Sequence, residues 1–176
     1  MKVIKNKKEK TLFSKEEIKT KVEEMGAIIN EDYKDKDLVV VSLLRGSFIF
    51  AADIIRELTI PVEIDFLTTS SYGHGEVTTG SVNIVHDVRT EIEGKDVLIV
   101  DDIIDSGNTL SSVIESLKEK NPKSIKTCLM LDKPSRREVQ LKPDYCGFTI
   151  PDVFIVGYGL NYGKHYRNIP YIFTFE

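Results

Sequence analysis

The sequence predicts an α/β protein in which a central, mostly parallel sheet is flanked by helices and the two chain ends form a small hood. Three observations carry that prediction. Continuous apolar runs, "DLVVVSLL" (37–44), "KDVLIVDD" (95–102) and "SIKTCLMLDK" (124–133), have the pattern of strands buried on both faces. Between them lie segments whose apolar residues recur at helical spacing, so strands alternate with helices. The tail, "YCGFTIPDVFIVGYGLNYGKHYRNIPYIFTF", breaks short apolar runs with Gly, Pro and Asn, which suits short strands and loops better than another long helix.

Taken in order, "KVI" near the N-terminus predicts a short strand. Ser14 and Glu17 form a capping-box signature, and Ile18, Val22, Met25 and Ile29 follow at helical spacing, which predicts an amphipathic first helix. After the strand over 37–44, "RG" turns into "SFIFAADIIREL", where Phe48, Ala52, Ile55 and Leu58 share one helical face. "VEIDFLTTSS" (62–71) predicts a strand, "YGHGEVTTGS" a polar, glycine-rich loop suited to a lid, and "VNIVHDV" (82–88) a strand of alternating pattern. The strand over 95–102 is the most apolar. The helix after it places Leu110, Ile114 and Leu117 on one side, and Asn121 with Pro122 ends it before the strand over 124–133.

A chain of 176 residues with 41% apolar and 30% charged content has the size and composition of a single globular domain, spanning 1–176. Its net charge of -4 disfavours a general nucleic-acid binder, so an anionic ligand must be met by a local pocket. There is no apolar run long enough to span a membrane. "MKVIKNKKEKTLF" lacks the apolar core of a signal peptide, so a cytoplasmic location and no membrane partner are expected. Cys128 and Cys146 form no CxxC pair and lie in apolar segments, which predicts free thiols.

The most informative stretch is "VLIVDDIIDSGNTL" (97–110). In an open parallel sheet, ligands bind outside the carboxyl ends of the strands, and this segment falls at that edge. Gly107 lets backbone approach a ligand, and the N–H groups opening the next helix, with the Ser106 and Thr109 hydroxyls, can surround a phosphate. Asp101 and Asp102 favour the opposite chemistry: vicinal hydroxyls or a hard divalent cation. A phosphorylated sugar satisfies both halves. For any one of these acids a helix-start cap, or for Asp105 a solvated loop acid, is the better reading, but three of them beside a Ser-Gly-Asn-Thr turn weaken it greatly. No GxxxxGK[ST] or GxGxxG motif supports a nucleoside triphosphatase or a dinucleotide enzyme. A receiver domain shares only "LIVDD", and would carry it near the N-terminus.

"VLIVDDIIDSGNTL" resembles the phosphoribosyl pyrophosphate (PRPP) motif of the type I phosphoribosyltransferases, and specifically of the hypoxanthine-guanine enzymes. "SLLRGSFIFAADI", "TSSYGH", "DKPSRR", "KPDYCGFTIPDVFIVGYGLNYG" and "YRNIPYI" are similar to other segments of that family in the expected order. The resemblance implies the type I phosphoribosyltransferase fold and a Mg2+-dependent purine salvage reaction of PRPP with a 6-oxopurine. It also implies a homo-dimer or homo-tetramer.

Residue by residue, the resemblance makes Asp105 the general base at purine N7. Asp105, Ser106, Gly107, Asn108, Thr109 and Leu110 form the 5'-phosphate loop, and Asp101 with Asp102 the acidic pair at ribose and metal. The family usually has Glu at the position of Asp101. Arg45 and the N–H of Gly46 match the pyrophosphate loop, whose peptide before Arg45 is expected to be cis when pyrophosphate or PRPP is bound, and Arg167 matches a second pyrophosphate-binding cation. Lys133 resembles the donor to the purine 6-oxo group, Phe154 the stacked aromatic and Ile155 the residue whose backbone faces the base edge; by pattern alone, "VFIV" is core strand. Asn161 stands where the family usually has an Asp that helps hold a second magnesium and the base. Ser71 and Tyr72 match the mobile loop that closes over the site. A regulator that keeps the fold to sense nucleotides or bind RNA or DNA is the reading from another class, and would need an added basic surface; a xanthine-preferring transferase is the nearest enzymatic one.

Overall fold

The computed structural model describes residues 8–70 and 83–176. In chain order these form β1 (Glu9–Phe13), α1 (Lys15–Asp32), β2 (Leu38–Leu44), α2 (Phe48–Glu57), β3 (Val62–Ser70), β4 (Asn83–His86), β5 (Asp96–Ile104) and α3 (Asn108–Lys118). They continue with β6 (Ser124–Asp132), a 3-10 turn at Pro134–Arg136, β7 (Tyr145–Thr149), β8 (Ile155–Val156) and β9 (Ile172–Phe175).

Six strands make the central sheet in the order β4-β3-β2-β5-β6-β7. Every pairing is parallel except that of β4 on β3. The apolar runs alternate across it as a doubly covered sheet requires. Val40, Leu98 and Val100 pack with Ile18, Val22, Met25 and Ile29 of α1 and Phe50 and Ile54 of α2. Val39, Val41, Val97 and Ile99 face Leu110, Val113 and Leu117 of α3. The hood is a second sheet, β1-β9-β8, which joins the two ends of the chain through antiparallel pairs such as Lys10 with Thr174.

α1 starts as the sequence predicts: Ser14 Oγ accepts the Glu17 N–H at 3.2 Å, and Glu17 Oε2 accepts the Ser14 N–H at 2.8 Å. The face expected for α2 is corrected. Phe48 is exposed and Ala52 is not buried; Phe50, Ala51 and Ile54 are the buried residues, with Ile55 and Leu58 partly buried against the core. Nearly every position from Phe48 to Ile55 is apolar, so periodicity cannot single out a stripe, and the stripe is set by packing against the sheet and α1. On α3 Leu110 and Leu117 are buried as expected, together with Val113, whereas Ile114 is only partly buried at the margin of the cluster. The expected "KVI" strand, the loop at 72–81 and the loop pair Ser71 and Tyr72 lie outside the described residues. Cys128 and Cys146 are free. Among the described residues no helix is long and apolar enough to cross a membrane.

Candidate active site

The acid-rich stretch sits at the carboxyl end of β5, one of the two central strands of the sheet. Asp101 and Asp102 lie within the strand, which runs on to Ile104, and α3 begins at Asn108. Between them Gly107 takes the helix N-cap position at φ 85°, a left-handed conformation that side chains disfavour. Ser106 Oγ accepts the Asn108 N–H at 3.3 Å. Asp101, Asp105, Ser106, Gly107, Thr109 and Leu110 line a cavity of about 230 Å3. The first N–H groups of α3 have no partner within the helix and face the end where an anion gains from the helix dipole. Asn108 departs from expectation: its side chain does not line this cavity but donates to Glu138 Oε2 at 2.6 Å.

The acid pair is held tightly. Asp101 Oδ1 accepts the Asp102 N–H at 2.9 Å. Burial, then the neighbouring Asp102 charge, pushes the Asp101 carboxyl well above the usual carboxylate range. Burial also raises Asp102, opposed by the bond to Asp101, the Ile103 N–H and the Arg167 charge. The two adjacent carboxylates repel each other, and a cation or a set of hydroxyl donors would relieve that repulsion.

Asp102 lies against the turn that follows β2. A Cβ placed on Gly46 would fall 1.6 Å from Asp102 Oδ2, so no side chain fits there; one on Gly159 would meet the Gly46 carbonyl at 2.1 Å. The Leu44–Arg45 peptide is cis. A second cavity, of about 640 Å3, opens beside that peptide and is shared by Arg45, Asn161 and Arg167. Arg167 Nη1 donates to Gly159 O at 2.6 Å, and Asn161 Nδ2 to Gly163 O at 2.6 Å.

Lys133 follows β6 directly and is buried, with its N–H donated to Ile104 O at 3.0 Å. Its Nζ lies 3.4 Å from Asp105 Oδ1 and 4.0 Å from Asp152 Oδ1. The adjacent residues Phe154 and Ile155 part company: Ile155 is buried in β8, whereas Phe154 is 57% exposed, its ring edge-on to Tyr162 at 5.6 Å. The exposed face of the ring is available for stacking.

Among the described residues no three His, Cys, Asp or Glu side chains group into a metal cage. The adjacent carboxylates of Asp101 and Asp102 nevertheless fit Mg2+, a hard cation that keeps waters and substrate oxygens in most of its positions and needs only one or two acids from the protein. Asn161, neutral and beside Arg45 and Arg167, does not offer a comparable place.

Residues 9–163 match the phosphoribosyl transferase domain. The chain belongs to the phosphoribosyltransferase family. It is 55% identical over 158 residues to a hypoxanthine phosphoribosyltransferase of Salmonella typhimurium, covering 89% of each chain. It is 47% identical to a hypoxanthine-guanine phosphoribosyltransferase of Bacillus subtilis, covering 93% of this chain and 91% of the relative. Its structure superposes on that of a hypoxanthine phosphoribosyltransferase from Staphylococcus aureus with a TM-score of 0.91 and 42% identity, covering 95% and 91% of the two chains.

In this phosphoribosyltransferase most of the expected residues gather into three neighbouring groups: Asp101 with 105–107, Thr109 and Leu110 around one cavity, Arg45 with Asn161 and Arg167 around another, and Lys133 against Asp105; Asn108, Phe154 and Ile155 line neither cavity. Asp102 and Gly46 link the first two. Sequence reasoning missed Arg137. Its Nε donates to Asp105 O at 3.0 Å, its guanidinium also bonds Leu141 O and pairs with Asp132, and Nη2 reaches Ile104 O at 3.4 Å. Together with the Glu138 N–H on Ser106 O at 2.9 Å, it braces the acid loop from below. "PSRR" shows two arginines, and nothing local distinguishes the one that turns inward.

Proposed function

We propose that this enzyme transfers the 5-phosphoribosyl group of PRPP to hypoxanthine, and to guanine, giving the purine nucleoside monophosphate and pyrophosphate. The observation that carries the choice of base is Lys133, a buried cation 3.4 Å from Asp105. An ammonium only donates, so beside a bound purine it favours a 6-oxo group and rejects a 6-amino group. The names of the relatives support the same substrates.

The residues divide the reaction among them. The 105–110 turn and the N-terminus of α3 hold the 5'-phosphate, and Asp101 and Asp102 accept the ribose hydroxyls. Arg45, the Gly46 N–H and Arg167 meet the pyrophosphate. Phe154 stacks on the base, and Ile155 offers backbone to its edge. As the purine nitrogen bonds to C1' and the C1'–pyrophosphate bond breaks, Asp105 takes the proton from N7. Mg2+ held through Asp101 and Asp102 would supply positive charge to the leaving pyrophosphate. Residues 1–176 act as one domain in this reading, in a homo-dimer or homo-tetramer.

The test is pyrophosphate release with PRPP and Mg2+, offering hypoxanthine, guanine, xanthine and adenine separately. Turnover with hypoxanthine and none with adenine is expected. Turnover with adenine, or with no purine at all, would overturn the assignment.

A further inference from the structure

The cavity beside the Leu44–Arg45 peptide has an unusual charge balance. Among the described residues that line it, three are cations, Arg45, Lys164 and Arg167; three are neutral and polar, Thr68, Thr69 and Asn161; none is an acid. Arg167 is anchored by its bond to Gly159 O. Among the described residues, neither Arg45 nor Lys164 forms an ion pair, and neither side chain donates a hydrogen bond to protein. Three cations around one concavity repel one another unless an anion lies between them, so the pocket is built for a polyanion. It is correspondingly hostile to a metal ion. The Asn161 amide carries no charge, its Nδ2 is committed to Gly163 O at 2.6 Å, and an ion at its remaining oxygen would share the cavity with three positive side chains.

We propose that Lys164 is a pyrophosphate-binding residue, and that this half of the site balances pyrophosphate with the side chains of Arg45, Lys164 and Arg167 rather than with a metal ion held at position 161. The proposal rests on the phosphoribosyl-transfer reading, which makes this cavity the place of the pyrophosphate group. It assigns a role to Lys164, which no sequence motif singled out. Its ammonium is a point charge on a flexible stem, suited to follow the pyrophosphate from bound substrate to released product.

The experiment is calorimetric titration of inorganic pyrophosphate into the wild-type protein, Lys164→Gln and Asn161→Asp, each with and without Mg2+ and at two salt concentrations. Lys164 is exposed, so Lys164→Gln should keep the fold, and circular dichroism checks this. Wild-type protein should bind pyrophosphate. Lys164→Gln should bind it roughly tenfold more weakly, the scale of one charge-assisted contact, with a shallower salt dependence. Asn161→Asp should bind more weakly without Mg2+ and gain more from Mg2+ than the wild type does. Equal affinity of Lys164→Gln and wild type would overturn the role of Lys164, and an equal Mg2+ gain in Asn161→Asp and wild type would overturn the metal half. No binding of pyrophosphate to folded wild-type protein would instead overturn the phosphoribosyl-transfer reading beneath both.

Discussion

Replacing Arg137 by Met removes the guanidinium that ties the acid loop to the strand beside it. Arg137 donates to the carbonyls of Asp105 at 3.0 Å and Ile104 at 3.4 Å, bonds Leu141 O, and pairs with Asp132. Both members of that pair are well enclosed, with side chains 14% and 12% exposed. Breaking a buried pair by removing one partner costs about 3 to 5 kcal/mol, because the other charge stays desolvated. Asp132 keeps a little solvent contact, so the lower end, about 3 kcal/mol, is expected for Arg137→Met in urea unfolding. Neutralising the stranded acid, in Arg137→Met with Asp132→Asn, should return at least about 1 kcal/mol, since the isolated charge is then gone. The freed carbonyls of Ile104 and Asp105 should also raise the KM for PRPP about tenfold, the cost of losing one charge-assisted bond's worth of positioning. A stability loss below about 0.5 kcal/mol, or no recovery in the double variant, would refute the view of Arg137 as a brace.

Three further predictions follow from the same geometry. Asp105→Asn should lower turnover roughly 10²- to 10⁴-fold while PRPP still binds, measured by initial rates and equilibrium titration, if Asp105 is the general base; unchanged turnover would remove that role. Gly46→Ala would put a methyl 1.6 Å from Asp102 Oδ2, so either the carboxylate or the turn must move, and PRPP turnover should fall at least about 10²-fold. Wild-type kinetics for that variant would mean the contact has no bearing on the reaction. Asp65 is part-buried, which alone would raise its pKa, but N–H bonds from Thr90, Phe66 and Arg89 hold it below its ordinary 3.8. A carboxylate depressed in the folded state contributes stability above its unfolded pKa and loses it as pH falls through the folded value. Asp65→Asn should therefore flatten the acid side of the stability profile below about pH 4, as read by denaturant midpoints across pH; a profile parallel to wild type would refute this.

The alternation of strand and helix was legible because local patterns record local burial. The continuous run of "DLVVVSLL" becomes β2, and the capping box of Ser14 and Glu17 becomes the start of α1 with both reciprocal bonds in place. The acid-rich turn was legible for a related reason: its chemistry sits in consecutive residues, so Asp101, Asp105, Ser106, Gly107 and Thr109 reach one cavity through a single strand-turn-helix. Asn108 lay in the same run and turned away, because Glu138, thirty positions on, offers its amide a partner. The buried face of α2 was not legible, since apolar residues occupy nearly all of its sides.

What the sequence alone determined, then, is the class of fold, the element order from α1 to β6 and the identity of the acid-rich turn, all written in neighbouring residues. The tertiary structure decided what depends on residues far apart in the chain. It brought β1 and β9 together as a hood, seated Gly46 against Asp102, turned Arg137 under the loop and gathered Arg45, Lys164 and Arg167 around one cavity. Periodicity specifies which side of an element is apolar. Which distant element covers that side is settled by packing and charge among all of them together, and no local pattern carries that information.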